Sequence, residues 1–375
     1  MGISFELLDE EVKVQPNIKV VGVGGAGGNA IANMIRNKLV GVEFVVANTD
    51  YRVLELNPAP IKIQLGKKLT KGLGAGGKPE VGRQAAEESE KEIRDVLKDA
   101  DMVFIAAGMG GGTGTGAAPV IANICKDLGI LTVAVVTKPF TFEGRHRIKL
   151  AEQGLEELSK FVDTLITIPN DRLLTLGSPQ ERLSDMFKKA DDVLYYAVRG
   201  ISDLILSPGY INLDFADVKA VMSESGGMAL MGMGEAVGDS RAEIATQMAV
   251  YSPLLDDLTL SGAKGVLLNI SGHSETLTIQ ETQFITTMIA KELHPDAKVY
   301  WGVVFDESLG DALRVTVIAT GLESSKKEEK NGKVVTIEEG LRRREGKEKF
   351  NKIEEYSLEE EEVLDIPTFL RRNAD

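Results

Sequence analysis

The sequence lacks the residues and segments that characterise several large classes of protein. Its 375 residues include three histidines and a single cysteine, Cys125. One cysteine cannot close an internal disulfide, and so few histidines and cysteines leave no His/Cys zinc site. No run approaches the ~20 consecutive apolar residues of a membrane helix, so direct membrane insertion is not expected. The acidic first residues do not resemble a signal peptide, and the net charge of −14 argues against a nucleic-acid groove. A cytoplasmic protein is therefore expected.

Short apolar runs alternate with helical patterns over residues 18–200. The candidate strands are apolar on both faces, as strands between two helix layers must be, and they lie at 18–23, 42–48, 101–108, 131–137 and 164–169. The helical patterns between them lie at 28–38, 79–98, 115–128 and 145–160. This alternation predicts an α/β fold with a doubly wound, mostly parallel sheet. A long central helix follows, and its apolar stripe from Phe187 to Ile205 predicts core packing.

The pattern changes twice beyond residue 207. Residues 208–222 end the long helix and begin another, and a second, smaller α/β domain is predicted from strands at 263–271, 298–306 and 314–321 and helices at 240–251 and 278–292. Residues 323–363 are charged and poor in apolar side chains, which is typical of a disordered linker. Apolar residues then return. We therefore predict five segments: an N-terminal extension (1–17), a first domain with the central helix (18–207), a second domain (208–322), a charged linker (323–363) and a short docking peptide (364–375).

Three glycine-rich loops hold the residues most suited to bind a ligand. The first, GVGGAGGN at 22–29, follows a predicted strand and opens a helix. Glycines allow a tight turn and a close approach to a ligand, and the helix N-terminus behind them favours phosphate. Positions 22, 24 and 27 also satisfy the dinucleotide fingerprint GxGxxG, with Asp50 as the acid beyond it. By itself this loop leaves an NAD-dependent oxidoreductase open.

The second loop is weaker evidence for a phosphate-binding site than the third. Residues 72–78, GLGAGGK, nearly match a P-loop, but Pro79 takes the hydroxyl position and the preceding residues are polar. We therefore reject a P-loop and place Pro79 in the first turn of a helix. The third loop, GMGGGTGTG at 108–116, joins a predicted strand to a helix. Its glycines would cost folding entropy without a structural purpose, whereas consecutive N–H groups and two hydroxyls suit a polyphosphate.

The third loop contains GGGTGTG, and on this signature the chain resembles the tubulin/FtsZ GTPase superfamily. Four further segments resemble the same family: KGLGAG (71–76), VTKPFTFEGRHR (136–147), ITIPND (166–171) and INLDFADVKAVM (211–222). LDIPTFLRR (364–372) points to the bacterial cell-division branch rather than to plasmid-segregation or archaeal paralogues. The resemblance implies a filament-forming GTPase that uses GTP and GDP, with Mg²⁺ bound through the phosphates and K⁺ as an additional candidate.

The resemblance also implies roles for individual residues. Two loops are expected to hold the GTP phosphates: Gly25, Ala26, Gly27, Gly28, Asn29 and Ala30, and Gly110, Gly111, Gly112, Thr113, Gly114 and Thr115. Three residues are expected near the γ-phosphate: Gly74, Ala75 and Gly76. Glu143 and Arg147 are expected at the ribose, although their i,i+4 spacing also fits a surface ion pair. The guanosine is expected to contact Asn48, Asn170, Phe187, which would stack on the base, and Asp192, which would accept from the ring, with the adjacent Asp191 as a solvated helix acid.

Asn212, Asp214 and Asp217 are the expected catalytic residues. From the sequence alone the two acids also fit simple N-capping of a helix. The resemblance implies instead that they complete the site of the next subunit, so that hydrolysis needs head-to-tail assembly into a filament. It further implies that membrane-anchoring adaptors and division regulators at mid-cell bind the docking peptide through Asp365, Ile366, Pro367, Phe369, Leu370, Arg371 and Arg372. A scaffold that binds nucleotide without hydrolysing it stays as an alternative.

Overall fold

The computed structural model describes residues 15–175, 180–207, 211, 213–224, 227–255 and 260–321. The predicted linker, the docking peptide and most of the N-terminal extension lie outside these residues. Within them, helices pack around one ten-stranded sheet. The predicted α/β class with a mostly parallel sheet is confirmed.

The strands of this sheet follow the apolar runs of the sequence. In chain order they are β1 (Ile18–Val23), β2 (Val42–Asn48), β3 (Ile61–Gln64), β4 (Met102–Gly108), β5 (Leu131–Lys138), β6 (Thr164–Pro169), β7 (Gly227–Ala236), β8 (Gly265–Gly272), β9 (Lys298–Phe305) and β10 (Leu313–Thr320). Every residue of β1, β8 and β10 is buried. Burial on both faces explains why β1 and β8 read as mainly apolar runs, whereas β10 also buries the polar residues Arg314 and Thr316.

The sheet has a parallel part and a mixed part. The strand order is β3-β2-β1-β4-β5-β6-β7-β10-β8-β9. From β3 to β7 all neighbouring strands are parallel. β10 then runs antiparallel to both β7 and β8, and β9 is parallel to β8. Because β6 pairs with β7 at Thr164 and Gly227, the two sets of predicted strands join in one sheet.

The helices lie on both faces of the sheet. They are α1 (Gly24–Arg36), α2 (Tyr51–Leu56), α3 (Pro79–Glu88), α4 (Glu90–Leu97), α5 (Thr113–Asp127), α6 (Arg145–Leu158), α7 (Asn170–Leu174), α8 (Leu183–Leu206), α9 (Phe215–Glu224), α10 (Arg241–Val250) and α11 (Ile279–Glu292). Among the helices in the described ranges, none combines the length and the apolar character needed to cross a membrane.

Three apolar clusters hold these layers together. One packs α1 and α8 against the sheet, and a second packs α3, α4, α5 and α6 against the opposite face. The third lies beneath α10 and α11. The predicted stripe of the central helix is buried at Ala190, Leu194, Ala197, Ile201 and Leu204, as core packing requires.

The predicted helix at 79–98 is in fact two helices, and this part of the prediction was wrong. Ser89 ends α3 and precedes α4. Its hydroxyl accepts a hydrogen bond from the backbone N–H of Gly66 at 3.0 Å. Serine competes with the helical backbone for hydrogen bonds, and here its side chain serves a neighbouring loop.

The sequence did not reveal β7, because this strand is rich in glycine and methionine rather than in β-branched residues. A Cβ added to Gly232 or Gly234 would overlap the backbone oxygens of Ala249 and Ala245, respectively. Helix α10 therefore packs directly onto the backbone of β7. The close contact with α10 explains why β7 contains glycines. These glycines lower its apparent strand propensity, so the sequence pattern did not predict it.

Candidate functional site

The three glycine-rich loops meet at one edge of the sheet. The first follows β1 and the third follows β4, and these strands are parallel neighbours. β2, on the other side of β1, leads into Thr49 and Asp50, which contact the second loop. Helices α1 and α5 begin within the first and third loops. Their free N–H groups therefore face the same edge, which suits an anion.

Several glycines are required because the loops touch each other or their neighbours. The expectation that the glycines of the third loop lack a structural purpose was therefore wrong for Gly110, Gly112 and Gly114. A Cβ on Gly24, whose φ is +74°, would lie 2.9 Å from the nitrogen of Gly114. A Cβ on Gly112 would lie 2.8 Å from the Cβ of Ala75, in the second loop. One on Gly27 would overlap the carbonyl oxygen of Ala106. These contacts join the three loops into one cradle, which we call the glycine cradle (residues 22–29, 72–78 and 108–116).

Two glycines of the cradle are required neither by packing nor by a left-handed backbone. A Cβ on Gly25 or on Gly111 would meet nothing within 4 Å, and neither residue has a φ in the left-handed region. Neither packing nor a positive φ requires glycine at these two positions. A ligand that approaches the backbone closely would explain why glycine is present. Both positions belong to the sets expected to hold phosphates.

The second loop leads directly into a helix, as predicted for Pro79. Pro79 is in the first turn of α3, where its missing N–H costs nothing. The N-terminal half of α3 packs closely on α5, because a Cβ on Gly82 or Gly116 would overlap the carbonyl oxygens of Gly112 and Pro79, respectively. The second loop is thereby held against the start of α5.

Asn48 and Asp50 have local hydrogen bonds of their own. Asn48 is buried at the end of β2, and its Oδ1 accepts from the backbone N–H of Asp50 at 3.1 Å. Asp50 in turn caps α2, because its Oδ1 accepts from the N–H of Val53 at 3.2 Å. The acid of the dinucleotide fingerprint therefore has a capping role in the structure.

Glu143 and Arg147 form an ion pair beside the third loop. Arg147 Nη1 lies 2.6 Å from Glu143 Oε2, and the other oxygen, Oε1, accepts from the N–H of Phe140 at 3.0 Å. The carbonyl carbon and oxygen of Arg147 border Gly110, where a Cβ would lie 2.7 Å from that oxygen. The pair is thus both the i,i+4 bridge that the spacing fits and a neighbour of the cradle.

Asn170 contributes a polar atom that no protein group satisfies. It is the first residue of α7, directly after β6, and its side chain is buried. Among the described residues, its Oδ1 is the buried side-chain oxygen without a hydrogen-bond donor. An orphaned buried acceptor costs about 1–3 kcal/mol, so a ligand donor is a natural partner.

An aromatic group lies near the start of α8. Phe187 is 42% exposed, unlike the buried residues of the stripe that it begins. Its ring packs edge-on against Phe140, with the centroids 5.4 Å apart. Phe140 is fully buried and stacks on Phe142 at 4.9 Å. Phe187 therefore presents an exposed ring from a fixed support, which suits stacking on a planar ligand.

The adjacent acids Asp191 and Asp192 have different surroundings. Asp192 is already bonded, since its Oδ1 accepts from Asn33 Nδ2 of α1 at 2.8 Å. Asp191 is half-buried rather than solvated, so the interpretation of it as a solvated helix acid was wrong. Burial, reinforced by the charge of Asp192 and opposed by Arg36, raises the pKa of Asp191 to about 7.

The raised pKa of Asp191 predicts a pH-dependent stability. The folded state holds this proton more tightly than the unfolded state, so the ionised carboxylate destabilises the fold as pH rises from about 4 to 7. Asp191→Asn should therefore increase the free energy of unfolding at pH 8 by about 1–2 kcal/mol after solvent screening, and should have little effect near pH 4. Urea titrations between pH 4 and 8 measure this difference. Asp185→Asn, which removes a carboxylate from the first turn of the same helix, is the control with which the trend is compared.

Asp214 and Asp217 lie far from the glycine cradle of their own chain. Asp217 is in the first turn of α9, and Asp214 precedes the helix with an exposed side chain. The adjacent Leu213 donates its N–H to the carbonyl of Leu204 on α8. Leu204 is separated from Phe187 by about 25 Å along the helix axis at the usual rise per residue. Helix α8 thus separates the two acids from the aromatic end of the site.

Some predicted residues lie outside the described part of the chain. These are Asn212 and the docking-peptide residues Asp365, Ile366, Pro367, Phe369, Leu370, Arg371 and Arg372. The described residues contain no cluster of three or more His, Cys, Asp or Glu side chains that could hold a metal ion.

Three residues that support the site were missed in the sequence. Asn57 Nδ2 donates to the carbonyl of Gly28 at 2.8 Å, Asn33 holds Asp192, and Thr49 contacts Thr113. None of them lies in a glycine loop, and each acts across a long sequence separation. The position of Thr49 between Asn48 and Asp50 is the one local signal that could have indicated it.

Comparisons with known proteins match this arrangement. A model of the tubulin/FtsZ family GTPase domain matches residues 17–178, and a model of the FtsZ family C-terminal domain matches residues 227–323. The chain is 55% identical over 318 residues to the cell division protein FtsZ of Rickettsia conorii, covering 84% of this chain and 70% of that protein. It is 52% identical to the cell division protein FtsZ of Magnetospirillum gryphiswaldense, covering 86% of this chain and 57% of the relative.

Solved structures show the same similarity. An FtsZ dimer from M. jannaschii superimposes with a TM-score of 0.80 at 46% identity, covering 84% of this chain and 90% of that one. CetZ2 from Haloferax volcanii, a GTPγS-bound protofilament, matches with a TM-score of 0.68 over 83% of this chain and 94% of that one. At 24% identity the second similarity concerns the fold alone.

Proposed function

The chain belongs to the tubulin/FtsZ family, and from this we propose that it is a GTP-dependent, filament-forming cell-division protein that hydrolyses GTP between subunits. One observation carries the proposal: the glycine cradle and the acids Asp214 and Asp217 lie at opposite ends of α8. A site divided in this way is completed when the acid end of one subunit meets the cradle of the next. Such a head-to-tail contact uses two different surfaces and extends into a filament.

The cradle accounts for the phosphate end of the nucleotide. The backbone N–H groups at the starts of α1 and α5 can donate hydrogen bonds to phosphate oxygens. Gly25 and Gly111 leave room for the phosphates to approach the backbone closely. We place the phosphates at residues 25–30 and 110–115, with Gly74, Ala75 and Gly76 near the γ-phosphate. Mg²⁺, when bound through the phosphates, offsets their negative charge, and K⁺ stays an additional candidate.

The other end of the cradle accounts for a guanosine. The unpaired Oδ1 of Asn170 can accept from the base edge, and the exposed ring of Phe187 can stack on its face. Glu143 and Arg147 lie beside the third loop and suit the ribose. Asp192, which also accepts from Asn33, is placed as an acceptor for the guanine ring, with the half-buried Asp191 alongside it as a second acceptor.

Hydrolysis at the subunit contact fits the chemistry of phosphoryl transfer. Catalysis of this reaction consists mainly of positioning the attacking water and stabilising charge. In the proposal, Asp214 and Asp217 of one subunit orient that water against the γ-phosphate of its neighbour, with Asn212 beside them. The filaments then form the scaffold of the division ring in the cytoplasm at mid-cell.

The proposed mechanism predicts that GTP hydrolysis has a concentration threshold. Phosphate release and light scattering should be measured on the same samples across a dilution series. Both should stay low below one protein concentration and rise together above it, because a subunit without a neighbour lacks the acids. Activity proportional to protein concentration without scattering would mean a self-contained site. Scattering with GTP but without phosphate release would mean a non-hydrolysing scaffold.

The C-terminal segment has a separate proposed role. We place a docking site for membrane-anchoring adaptors and division regulators at residues 364–375, after a linker at 323–363, and we keep the domain boundary at 207/208. A chain that ends at residue 363 should retain the threshold and the scattering but fail to co-sediment with such an adaptor. Loss of scattering in this variant would assign the segment to assembly itself.

A further inference from the structure

Thr49 links two loops of the glycine cradle although it belongs to neither. It follows β2, and its side chain is fully buried. Its carbonyl oxygen accepts from the backbone N–H of Gly74 at 3.2 Å and from the hydroxyl of Thr70 at 3.3 Å. Its own hydroxyl lies 2.7 Å from Oγ1 of Thr113, at the start of α5. One residue therefore contacts both the second loop and the third.

The direction of the Thr49–Thr113 hydrogen bond follows from the burial of Thr49. Within the described residues, Thr113 Oγ1 is the hydrogen-bond partner of the Thr49 hydroxyl. A hydroxyl carries one proton, and a buried proton without an acceptor is costly. This cost favours Thr49 as the donor and Thr113 as the acceptor. The proton of Thr113 is then free to be donated elsewhere.

Thr113 lies where its hydroxyl proton could be donated to a bound phosphate. Unlike Thr49, it is partly exposed, and it is the first residue of α5, where the backbone N–H groups also point toward the cradle. Its Cβ lies 3.3 Å from the position that a Cβ on Gly24 would take, so it borders the first loop as well. Thr113 therefore borders the first loop at the start of α5, where we place the phosphates.

We propose that Thr49 is a positioning residue for the terminal phosphates of the nucleotide, an inference that rests on the proposed GTP site. Its hydroxyl orients the O–H of Thr113 toward a phosphate oxygen, and its carbonyl holds Gly74 at a fixed distance from the same phosphate. These two contacts thereby hold the second and third loops in one relative position. Thr49 itself does not touch the nucleotide.

A double-mutant cycle on GTP affinity tests this role. Thr49→Val keeps the shape of the side chain but removes the hydroxyl, and it should weaken GTP binding by about tenfold, because a charge-assisted hydrogen bond loses its orientation. Thr113→Val should weaken binding by a similar factor, and the double variant should be no weaker than Thr113→Val alone. Thr49→Ser, which restores the hydroxyl, should return the affinity to that of the unmodified chain. Isothermal titration with GTP measures the affinity of the four variants and of the unmodified chain.

Several outcomes would overturn the proposal. Wild-type affinity in Thr49→Val, additive losses in the double variant, or failure of Thr49→Ser to restore binding would each show that Thr49 does not act through Thr113. If valine is not tolerated at this packed position, Thr49→Ala removes the hydroxyl without adding volume and carries the same prediction. Failure of the unmodified chain to bind any guanine nucleotide would instead contradict the proposed function, so the two ideas fail separately.

Discussion

Replacing Asp217 with alanine should reduce GTP hydrolysis by about 10²-fold or more while leaving GTP affinity unchanged. Asp217 is in the first turn of α9, at the far end of α8 from Phe187. Its carboxylate therefore cannot contact a nucleotide in the cradle of its own chain. In the proposed filament it lies against the γ-phosphate of the neighbour, where it orients the attacking water. Phosphate release and nucleotide titration on the same protein separate the two effects.

Lys219→Ala is a matched control for this prediction, because Lys219 is an exposed charged residue on the same helix. It should leave both hydrolysis and affinity close to those of the unmodified chain. Loss of GTP binding in Asp217→Ala would contradict a role in the neighbouring site. Full hydrolysis in this variant would remove Asp217 from the mechanism altogether.

Mixing two defective variants provides a sharper test of the same idea. Asp217→Ala has an intact cradle, and Gly111→Val has intact acids but a side chain in the open space of the cradle. Each protein alone should hydrolyse little GTP. In a mixture, contacts that join the cradle of the first variant to the acids of the second are complete, so hydrolysis should reappear. A mixture as inactive as its components would contradict a site shared between subunits.

Much of the fold could be predicted because most strands and helices are marked by patterns within a few consecutive residues. β1, β2 and β6 match their predicted bounds, since uninterrupted apolar runs of that length occur in strands buried on both faces. β7 was missed because the tight packing of α10 replaces its expected β-branched residues with glycines. The pairing of β6 with β7 joins segments about 60 residues apart, and no local pattern encodes such a contact.

The candidate site was predictable to a similar extent. The cradle could be located from sequence because its glycines cluster in three loops, but the packing contacts that require Gly24, Gly27 and Gly112 could not be predicted, since they join segments distant along the chain. The different environments of Asp191 and Asp192 could not, because adjacent positions on a helix point about 100° apart and their surroundings depend on tertiary packing. The role of Thr49 likewise depends on a hydroxyl 64 positions away.

Alanine substitutions at different glycines of the cradle should affect protein stability and nucleotide binding differently. A Cβ on Gly27 would overlap the carbonyl oxygen of Ala106, whereas one on Gly111 would meet nothing within 4 Å. Gly27→Ala should therefore lower the free energy of unfolding by about 3 kcal/mol, because β4 and α1 must move apart. Gly111→Ala should leave that free energy unchanged or raise it by up to about 1 kcal/mol, since alanine restricts the unfolded chain.

Nucleotide affinity should fall in the variants whose added methyl group points into open space. Gly111→Ala should weaken GTP binding by about tenfold or more, because its methyl group occupies space that the phosphates need. Gly25→Ala should behave in the same way, since its Cβ also points into open space. Urea denaturation without nucleotide, followed by GTP titration, measures both quantities on each variant. Normal GTP affinity in both Gly111→Ala and Gly25→Ala would mean that the phosphates lie elsewhere. A methyl group in the space that the phosphates occupy would have to weaken binding.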